Sequence, residues 1–290
     1  MSNASIKEDL KAWALMATGL GMILMLMGST LYMAVAQSFG FYNLTGESGF
    51  SLEYWQAALS DDIVFSSLLY SMKVSFIGAM GSIALSYPLA IWLRKPMAGK
   101  EIIIGVLRAP MFVTGLVAAF LFVNIISYHG ILNQLMMWLG LIDKPIRMQN
   151  DSFGWGVIFL QIWKNLPFAL ILVSGAVNSI RSDVLDAASD LGAGQFRKLV
   201  DVIIPLSIPA VQAAFILIFI GALGDFSFFV IAGPRNTYSL SMLMQLYANE
   251  YMEWNTAAVI GMIIILMSGV MAVLTTLLTN PLAFKKGRLK

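Results

Sequence analysis

Cysteine is absent from this chain of 290 residues, and histidine occurs only once. Without cysteine the chain holds no disulfide and no thiolate metal site, and a single histidine argues against a histidine metal site. Charged residues are also scarce, at 12% of the sequence against about a quarter in soluble domains. Together with an apolar fraction of 59% and a mean hydropathy of +0.80, this scarcity predicts a membrane protein.

Two further sequence features are missing. No phosphate loop of the form G-x-x-x-x-G-K-[ST] occurs, so the chain has no recognisable site for ATP. The N-terminal region also lacks a small-residue cleavage site followed by a polar domain. Its first apolar run is too long for the core of a signal peptide, and we interpret it as a permanent anchor.

Six stretches contain the roughly 20 apolar residues that a helix needs to cross the hydrocarbon core of a bilayer. Each is too long for a strand, and none alternates with a period of two. The sequence therefore predicts an all-α membrane protein with six transmembrane helices. These are expected at about 12–37, 63–93, 102–127, 154–180, 202–231 and 256–279.

The basic residues are distributed unevenly between the two sides of the predicted spans. Of the 18 lysines and arginines, 13 lie in the N-terminal segment, the second and fourth loops and the C-terminal tail, and three lie in the other loops. Because basic residues favour the cytoplasmic side, both termini are predicted to be cytoplasmic. The expected plan is a cytoplasmic segment at 1–11, a transmembrane domain at 12–279 and a basic cytoplasmic tail at 280–290.

The loops predicted on the outer side carry acidic and aromatic residues. The loop at 38–62 contains four acidic residues and no basic one. Two interpretations of the last outer loop, 232–255, remain open: an ordinary aromatic belt at the membrane interface, or a docking or entry surface for an external partner. The residues concerned are Glu250, Tyr251, Glu253 and Trp254.

The fourth loop has a helical pattern of its own. Val184, Leu185, Ala188 and Leu191 recur at spacings of three and four, which predicts a short helix at about 183–194. A helix of about two turns is not stable alone in water, so it must pack against something. Its acidic exposed face would be repelled by anionic lipids, and this favours a protein partner over an amphipathic segment lying on the bilayer.

This loop resembles the signature loop of ATP-binding-cassette importer permeases, which reads E-A-A, three residues, G, nine residues, then I-x-L-P. Here the matching residues are Asp186-Ala187-Ala188, Gly192 and Val202-Ile203-Ile204-Pro205, with complete spacing and conservative substitutions. The resemblance implies the type I importer permease fold and a coupling helix that docks in a groove on a cytoplasmic ATPase. The residues implied in ATPase coupling are Asp186, Ala187, Ala188, Asp190, Leu191, Gly192, Ala193 and Pro205.

Further stretches, at 128–133, 135–148, 163–168 and 224–226, resemble the spermidine/putrescine branch of these importers. The resemblance implies uptake of a polyamine, with ferric iron, phosphonate or another small ion as alternatives. It also implies an assembly in the bacterial inner membrane, surrounded by membrane lipids and without nucleic acid. Its other parts would be a second, different permease chain, two ATPase subunits that bind ATP and Mg²⁺, and a periplasmic or lipid-anchored solute-binding protein; this chain itself would bind no cofactor.

Three charged residues fall inside predicted spans, where charge is costly and usually marks function or pairing: Lys73, Lys164 and Asp225. For Lys73 we prefer snorkelling or pairing within the bundle. Lys164 lies beside Trp163 and shortly before Pro167, and a broken polar stretch at membrane depth usually lines a cavity.

Asp225 lies among aromatic residues. A carboxylate surrounded by aromatic rings suits an organic cation, through ion pairing and cation–π attraction. The equally weighted alternative is a structural ion pair between Asp225 and one of the two lysines. The predicted translocation path comprises Trp163, Lys164, Asp225, Phe226 and Phe229.

Two other classes of function explain fewer features. A secondary transporter driven by an ion gradient would use Asp225 as an ion site, but no inverted repeat is evident and the fourth loop would have no role. An intramembrane enzyme needs a nucleophile and base or a metal constellation, and His129 stands alone. The sequence therefore predicts a transport subunit and not an enzyme.

Overall fold

The computed structural model describes residues 3–43, 46–146, 148 and 151–284. Within these residues all regular structure is helical, and six helical stretches are long and apolar enough to cross a membrane. The predicted all-α membrane protein with six transmembrane helices is confirmed. The α-helices are α1 (Asn3–Ser38), α2 (Glu53–Ser60), α3 (Asp62–Arg94), α4 (Lys100–Arg108), α5 (Gly115–Ile126), α6 (Ile131–Trp138), α7 (Trp155–Ser179), α8 (Ser182–Asp190), α9 (Gln195–Lys198), α10 (Ile204–Leu223), α11 (Ser227–Ala232), α12 (Leu240–Asn249) and α13 (Trp254–Phe284).

Helices α3, α7 and α10 form the centre of one compact unit, which comprises 62–243 and the described residues from 264 onward. Small residues on α3 let α7 approach closely: a Cβ atom added at Gly78 would lie 2.9 Å from the Cβ of Gln161. Ser71, Ser75 and Ser82 on α3 are likewise buried. Small side chains allow helix backbones to pack closely. Inside a membrane this van der Waals packing drives helix association, because the hydrophobic effect contributes little there.

Three buried apolar clusters lie at successive levels along α3. The first contains Tyr70 and joins α3 to α5, α7 and α11. The second contains Ile83 and adds α10 and the 264–271 part of α13. The third contains Leu93 and adds α4 and the end of α7. Segments distant in sequence are thereby held on a common frame of α3 and α7.

The third predicted span, 102–127, is not one continuous helix. Helix α4 ends at Arg108, a 3₁₀ turn occupies Ala109–Phe112, and Val113 and Thr114 are extended before α5 begins. Pro110 contributes to the break because it has no N–H group to donate to a preceding carbonyl. Hydropathy does not detect the break, since most of the interrupting residues are themselves apolar.

The fifth predicted span, 202–231, is also interrupted. A π-helical segment at Leu199–Ile203 leads into α10, which ends at Leu223. Residues 224–226 form a non-helical link before the short helix α11. Non-helical backbone at membrane depth requires polar partners or a buried position, and the side chains that supply them here belong to the candidate site.

The second compact unit comprises the described residues up to Asp61 together with 244–263. Beyond α1 the chain folds back on itself, with the rings of Phe39 and Phe50 stacked at 5.7 Å between centroids. Asn255, at the start of α13, donates from Nδ2 to the carbonyl oxygens of Gln37 at 2.7 Å and Phe41 at 3.2 Å. The end of α1 is therefore fastened to the start of α13.

Two hydrogen bonds join α10 to α13. Gln212 Nε2 donates to Thr276 Oγ1 at 2.8 Å, and Thr279 Oγ1 donates to Gln212 Oε1 at 2.9 Å. We expect Thr276→Val to lower the free energy of unfolding by about 0.5–1.5 kcal/mol, because the Gln212 amide loses a partner inside the membrane. Thr275→Val is the matched control, since the Thr275 hydroxyl donates to the Met271 carbonyl of its own helix. Thermal unfolding in detergent compares the two variants, and an equal loss in both would contradict the expectation.

Candidate functional site

Helix α8 lies in the fourth loop, inside the segment for which a helix is predicted. It ends in a turn closed by backbone hydrogen bonds from Gly192 N–H to the Ser189 carbonyl at 2.8 Å and from Ala193 N–H to the Ala188 carbonyl at 2.9 Å. Gly192 has a φ of +80°, which residues with a side chain adopt rarely. The glycine therefore allows the chain to leave α8 and turn towards α10.

The outer surface of α8 and the following turn is exposed. Leu191 is 89% exposed and Phe196, in α9, is 77% exposed, whereas Ala188 and Ala193 are half-buried. Large exposed apolar side chains beside small ones are typical of an interaction surface. We define five of the exposed residues as the α8 patch: Asp186, Ala187, Asp190, Leu191 and Phe196.

The inner face of α8 is attached to the third apolar cluster. Leu185 packs against this cluster, which includes Val177 and Ile180 at the end of α7. Arg94, the last residue of α3, donates from its guanidinium to the carbonyl oxygens of Val177 at 3.2 Å and Ile180 at 2.6 Å. These bonds add charged donors to the carbonyls at the end of α7, where Val177 otherwise accepts only a long bond from the Ile180 N–H at 3.4 Å, and they hold the chain where it enters the loop.

A π-helical segment connects the loop to α10 immediately before Pro205. The Ile204 N–H donates to the Leu199 carbonyl, five residues back rather than the usual four. The hydroxyl of Ser207 is hydrogen-bonded to that of Tyr87 on α3. Wide turns of this kind are rare in helices and frequent at functional sites. Pro205 thus lies at a local irregularity that is fastened to the central bundle.

Asp225 lies in the non-helical link between α10 and α11. Its Oδ1 accepts the Phe228 N–H at 3.0 Å, which caps α11, and its Oδ2 accepts from Gln161 Nε2 of α7 at 3.3 Å. The Gln161 Oε1 in turn accepts from Asn165 Nδ2 at 2.9 Å. The Asp225 backbone carbonyl accepts from the Ser241 hydroxyl at 2.5 Å. Asp225 is therefore a half-buried carboxylate at the end of a chain of amide side chains.

Sequence reasoning did not include Gln161 and Ser241 in this site. Both are uncharged, and both lie far from Asp225 along the chain, so only the packing of α7 and α12 brings them together. A polar amide within an apolar span was the available signal for Gln161. Within the described residues, no group of three or more metal-ligating side chains is present, so the site is one of a single carboxylate with amide neighbours.

Lys164 does not pair with Asp225 in this structure. Its ammonium donates to the carbonyl oxygen of Pro110 at 2.7 Å and is hydrogen-bonded to that of Val113, with Met111 O at 3.4 Å. Among the described side chains, the ion pairs are Arg181–Asp183 and Arg197–Asp201, both on the surface. Among the described residues, Asp225 therefore forms no ion pair with Lys164 or Lys73, which was the alternative drawn from the sequence.

Lys73 is held by aromatic rings. Its Nζ lies 5.1 Å from the ring centroid of Tyr70 and 4.3 Å from that of Phe153. Because Phe153 lies just before the N-cap Gly154 of α7, Lys73 lies level with the start of the fourth span and not at the middle of the bundle. Cation–π contacts at such a position stabilise an ammonium without an acidic partner.

The aromatic residues of the predicted path differ in their surroundings. Trp163 is 43% exposed and lines an apolar cavity of about 910 Å³ between α5 and α7. Phe226 is half-buried beside Asp225. Phe229 is only 1% exposed and packs edge-on against Tyr70, with centroids 5.6 Å apart. In this conformation Phe229 therefore belongs to the apolar core, while Trp163 and Phe226 remain partly accessible.

The four outer residues named from the sequence, Glu250, Tyr251, Glu253 and Trp254, are all exposed in the second compact unit. The ring of Tyr251 packs edge-on against Tyr247 at 5.4 Å, and the Tyr247 hydroxyl donates to Asp61 Oδ2 at 3.4 Å. Burial, together with the negative charges of Asp61 and Glu253, raises the pKa of the Tyr247 phenol above its ordinary value. The surface is therefore both acidic and aromatic.

Residues 82–282, more than two thirds of the chain, match the family of binding-protein-dependent transport system inner membrane components. The chain belongs to this family. It is thus an importer permease subunit, a multi-pass protein of the bacterial inner membrane that takes part in transport without being an enzyme. The matched range includes the fourth loop, Lys164 and Asp225.

Named relatives of this permease include transporters of different solutes. The chain is 26% identical over 214 residues to the spermidine/putrescine transport system permease protein PotB of Escherichia coli K12, a match that covers 73% of this chain and 77% of that protein. It is 29% identical over 184 residues to the molybdenum transport system permease protein ModB of Haemophilus influenzae, covering 59% and 77% of the two chains.

Solved structures agree on the fold of the permease. A bacterial alginate ABC transporter, in complex with an alginate pentasaccharide-bound periplasmic protein, superimposes with a TM-score of 0.78 and 15% identity over 97% of each chain. The MetNI methionine ABC transporter, in an inward-facing conformation, gives a TM-score of 0.55 and 12% identity over 76% of this chain and 96% of that one. Because these identities are low, they establish the fold alone.

The hydrogen bonds of Arg94 predict how the fourth loop of this permease responds to a substitution. We expect Arg94→Met to increase amide hydrogen exchange across 180–190 by at least about tenfold, because the end of α7 loses two charged hydrogen bonds. Arg181→Met is the matched control: Arg181 pairs with Asp183 on the surface, where ion pairs contribute little. Hydrogen–deuterium exchange by mass spectrometry measures both, and unchanged exchange in Arg94→Met would refute the role assigned to Arg94.

Proposed function

We propose that this permease carries a polyamine, or a similar small organic cation, across the inner membrane. The observation that carries the choice of a cation is the Asp225 carboxylate, which is hydrogen-bonded to Gln161 and to the Phe228 N–H but is not paired with a cation among the described residues. The relationship to a spermidine/putrescine permease at 26% identity supports the same choice.

The surroundings of Asp225 suit an ammonium group. The carboxylate is half-buried, so its attraction for a cation is less screened than it would be in water. Phe226, next to it, is partly accessible and offers a ring face for cation–π contact. The amides of Gln161 and Asn165 supply further oxygen acceptors for the donors of an ammonium group. Trp163 and Lys164, which lie on α7 together with Gln161 and Asn165, would border the translocation path.

The relationship to a molybdenum permease raises a second candidate, uptake of a small oxyanion. Phosphonate, one of the alternatives implied by the sequence resemblance, is also an anion. A carboxylate in the path would repel an anion. Ferric iron would prefer several oxygen ligands, whereas Asp225 supplies one carboxylate. The organic cation therefore fits the residues near Asp225 better than the alternatives.

The α8 patch is proposed to be the docking surface for a cytoplasmic ATPase. Two such subunits would bind ATP and Mg²⁺ and drive the permease. In support, Leu191 and Phe196 are strongly exposed, while Leu185 and Arg94 attach the helix to the bundle, so that force on α8 would reach α3 and α7. This arrangement requires α8, the N-terminus and the C-terminal tail to lie in the cytoplasm, in agreement with the distribution of basic residues.

The remaining partners are a second, different permease chain and a periplasmic or lipid-anchored solute-binding protein. The acidic and aromatic surface around Tyr247 and Tyr251, with Glu250, Glu253 and Trp254, is proposed to receive the binding protein. Exposed tyrosine and tryptophan side chains are favoured at protein interfaces because they present large rigid contact areas. The periplasmic protein in the alginate transporter complex is a precedent from the same fold.

Charge introduced into the α8 patch tests the ATPase assignment. We expect Leu191→Asp to abolish co-purification of the ATPase subunits and ATP-dependent uptake, because an apolar anchor at the centre of the contact becomes an unpaired charge. Leu139→Asp, at an exposed leucine of another loop, is the matched control. Retention of the ATPases by Leu191→Asp would overturn the assignment, provided that the permease accumulates normally in membranes.

Neutralisation of Asp225 tests the choice of solute. Asparagine retains the cap on α11, so Asp225→Asn removes charge with little effect on folding. We expect at least about a tenfold fall in spermidine uptake by the complete assembly, mainly through a raised KM. Asp143→Asn, at an exposed loop carboxylate, should leave uptake unchanged.

Two results would contradict the cation proposal. Unchanged kinetics in Asp225→Asn would remove Asp225 from the path. Uptake of molybdate, but not of spermidine, by the wild-type assembly would replace the organic cation with an oxyanion.

A further inference from the structure

The break between α4 and α5, within the third predicted span, leaves backbone carbonyls outside α-helical bonding, although the Pro110 carbonyl also accepts the Val113 N–H at 3.4 Å. Between Ala109 and Thr114 the backbone passes from a 3₁₀ turn into extended conformation, so the oxygens of Pro110, Met111 and Val113 lie outside regular α-helical bonding. These carbonyls lie beside Lys164, near the middle of the apolar helix α7, and non-helical backbone at such a depth needs polar partners in the protein.

Lys164 supplies those partners. Its ammonium has three N–H donors, and three carbonyl oxygens surround it: Pro110 O at 2.7 Å, Val113 O in close hydrogen bonding, and Met111 O at 3.4 Å. The charge is thus balanced by backbone dipoles instead of a carboxylate. An ammonium occupied in this way has no donor left for a solute.

The break separates two helices with different attachments. Before it, Ile103 and Leu107 of α4 pack on the third apolar cluster, which also holds Leu185 of α8. After it, Ala118 and Ala119 of α5 are buried in the first cluster with α11, the helix that Asp225 caps. The carbonyls bound by Lys164 therefore lie between the helix tied to the α8 loop and the helix tied to Asp225.

We propose that Lys164 is a positioning residue that clamps the break in the third span and so couples movement of α4 at the ATPase side to movement of α5 and α11 at the solute site. Lys164 acts through the backbone of 110–113 and does not bind the solute. The inference rests on the proposed function, in that it assigns Lys164 a part in linking ATP hydrolysis to transport.

The experiment uses the complete assembly in proteoliposomes. Lys164→Met preserves the length of the side chain but removes every donor. We expect the maximal rate of spermidine uptake to fall by about tenfold or more while KM changes by less than about twofold, and ATP hydrolysis to continue, so that more ATP is consumed per solute. Lys73→Met is the matched control, because Lys73 is a second lysine within a span and contacts rings instead of carbonyls.

A second measurement reports on the clamp without requiring transport. The chain has no cysteine, so a single Phe112→Cys variant takes one nitroxide spin label, and Phe112 is 87% exposed. We expect the label to become more mobile in Lys164→Met and to remain unchanged in Lys73→Met. If the Lys164→Met variant does not accumulate in membranes, Lys164→Arg replaces it. The label mobility is expected to rise in this variant too, since a planar guanidinium cannot direct its donors at the same three carbonyls.

The outcomes separate the possible failures. Unchanged label mobility and an unchanged ratio of ATP to solute in Lys164→Met would overturn the clamp, and a raised KM at an unchanged maximal rate would assign Lys164 to solute contact instead. Failure of the wild-type assembly to take up spermidine would refute the proposed solute, while the label at position 112 would still test the clamp.

Discussion

Backbone hydrogen bonding governs this structure more than any other interaction. A helix satisfies its own N–H and carbonyl groups, so six apolar helices can stand in lipid without further help. Wherever a span departs from the α-helix, however, side chains must complete the bonding. Lys164 does so for the carbonyls near Pro110, Asp225 caps α11 after the break at Gly224, and Arg94 bonds the carbonyls at the end of α7.

These three charged residues also connect the parts that a transporter must move together. Arg94 joins α3 to the start of the α8 loop, and Lys164 joins α7 to the break between α4 and α5. Asp225 joins the α10–α11 link to Gln161 on α7. Charged groups are expensive inside a membrane, so it is physically consistent that each of these side chains bonds to polar groups at a break or at the end of a helix.

Much of the architecture follows from the sequence because its causes are local. Runs of apolar residues of sufficient length predict six spans whatever their neighbours are, and the spacing of Asp186, Ala187, Ala188, Gly192 and Pro205 identifies the fourth loop. Interruptions inside apolar segments are harder to predict. The 3₁₀ turn at Ala109–Phe112 and the link after Leu223 contain mainly apolar or small residues, so hydropathy continues smoothly across them.

The sequence by itself determined the membrane class, the number of membrane-spanning helices and the likeness to importer permeases, since these depend on composition and on spacing along the chain. Only the tertiary structure decided the partners of the buried charges. Lys164 bonds to carbonyls more than 50 residues away and Asp225 to an amide 64 residues away, and neither choice has a signal in local sequence. The reason is physical: a charge inside a bilayer must be satisfied by whatever polar group the packing brings within hydrogen-bond distance, and packing is a property of the whole bundle.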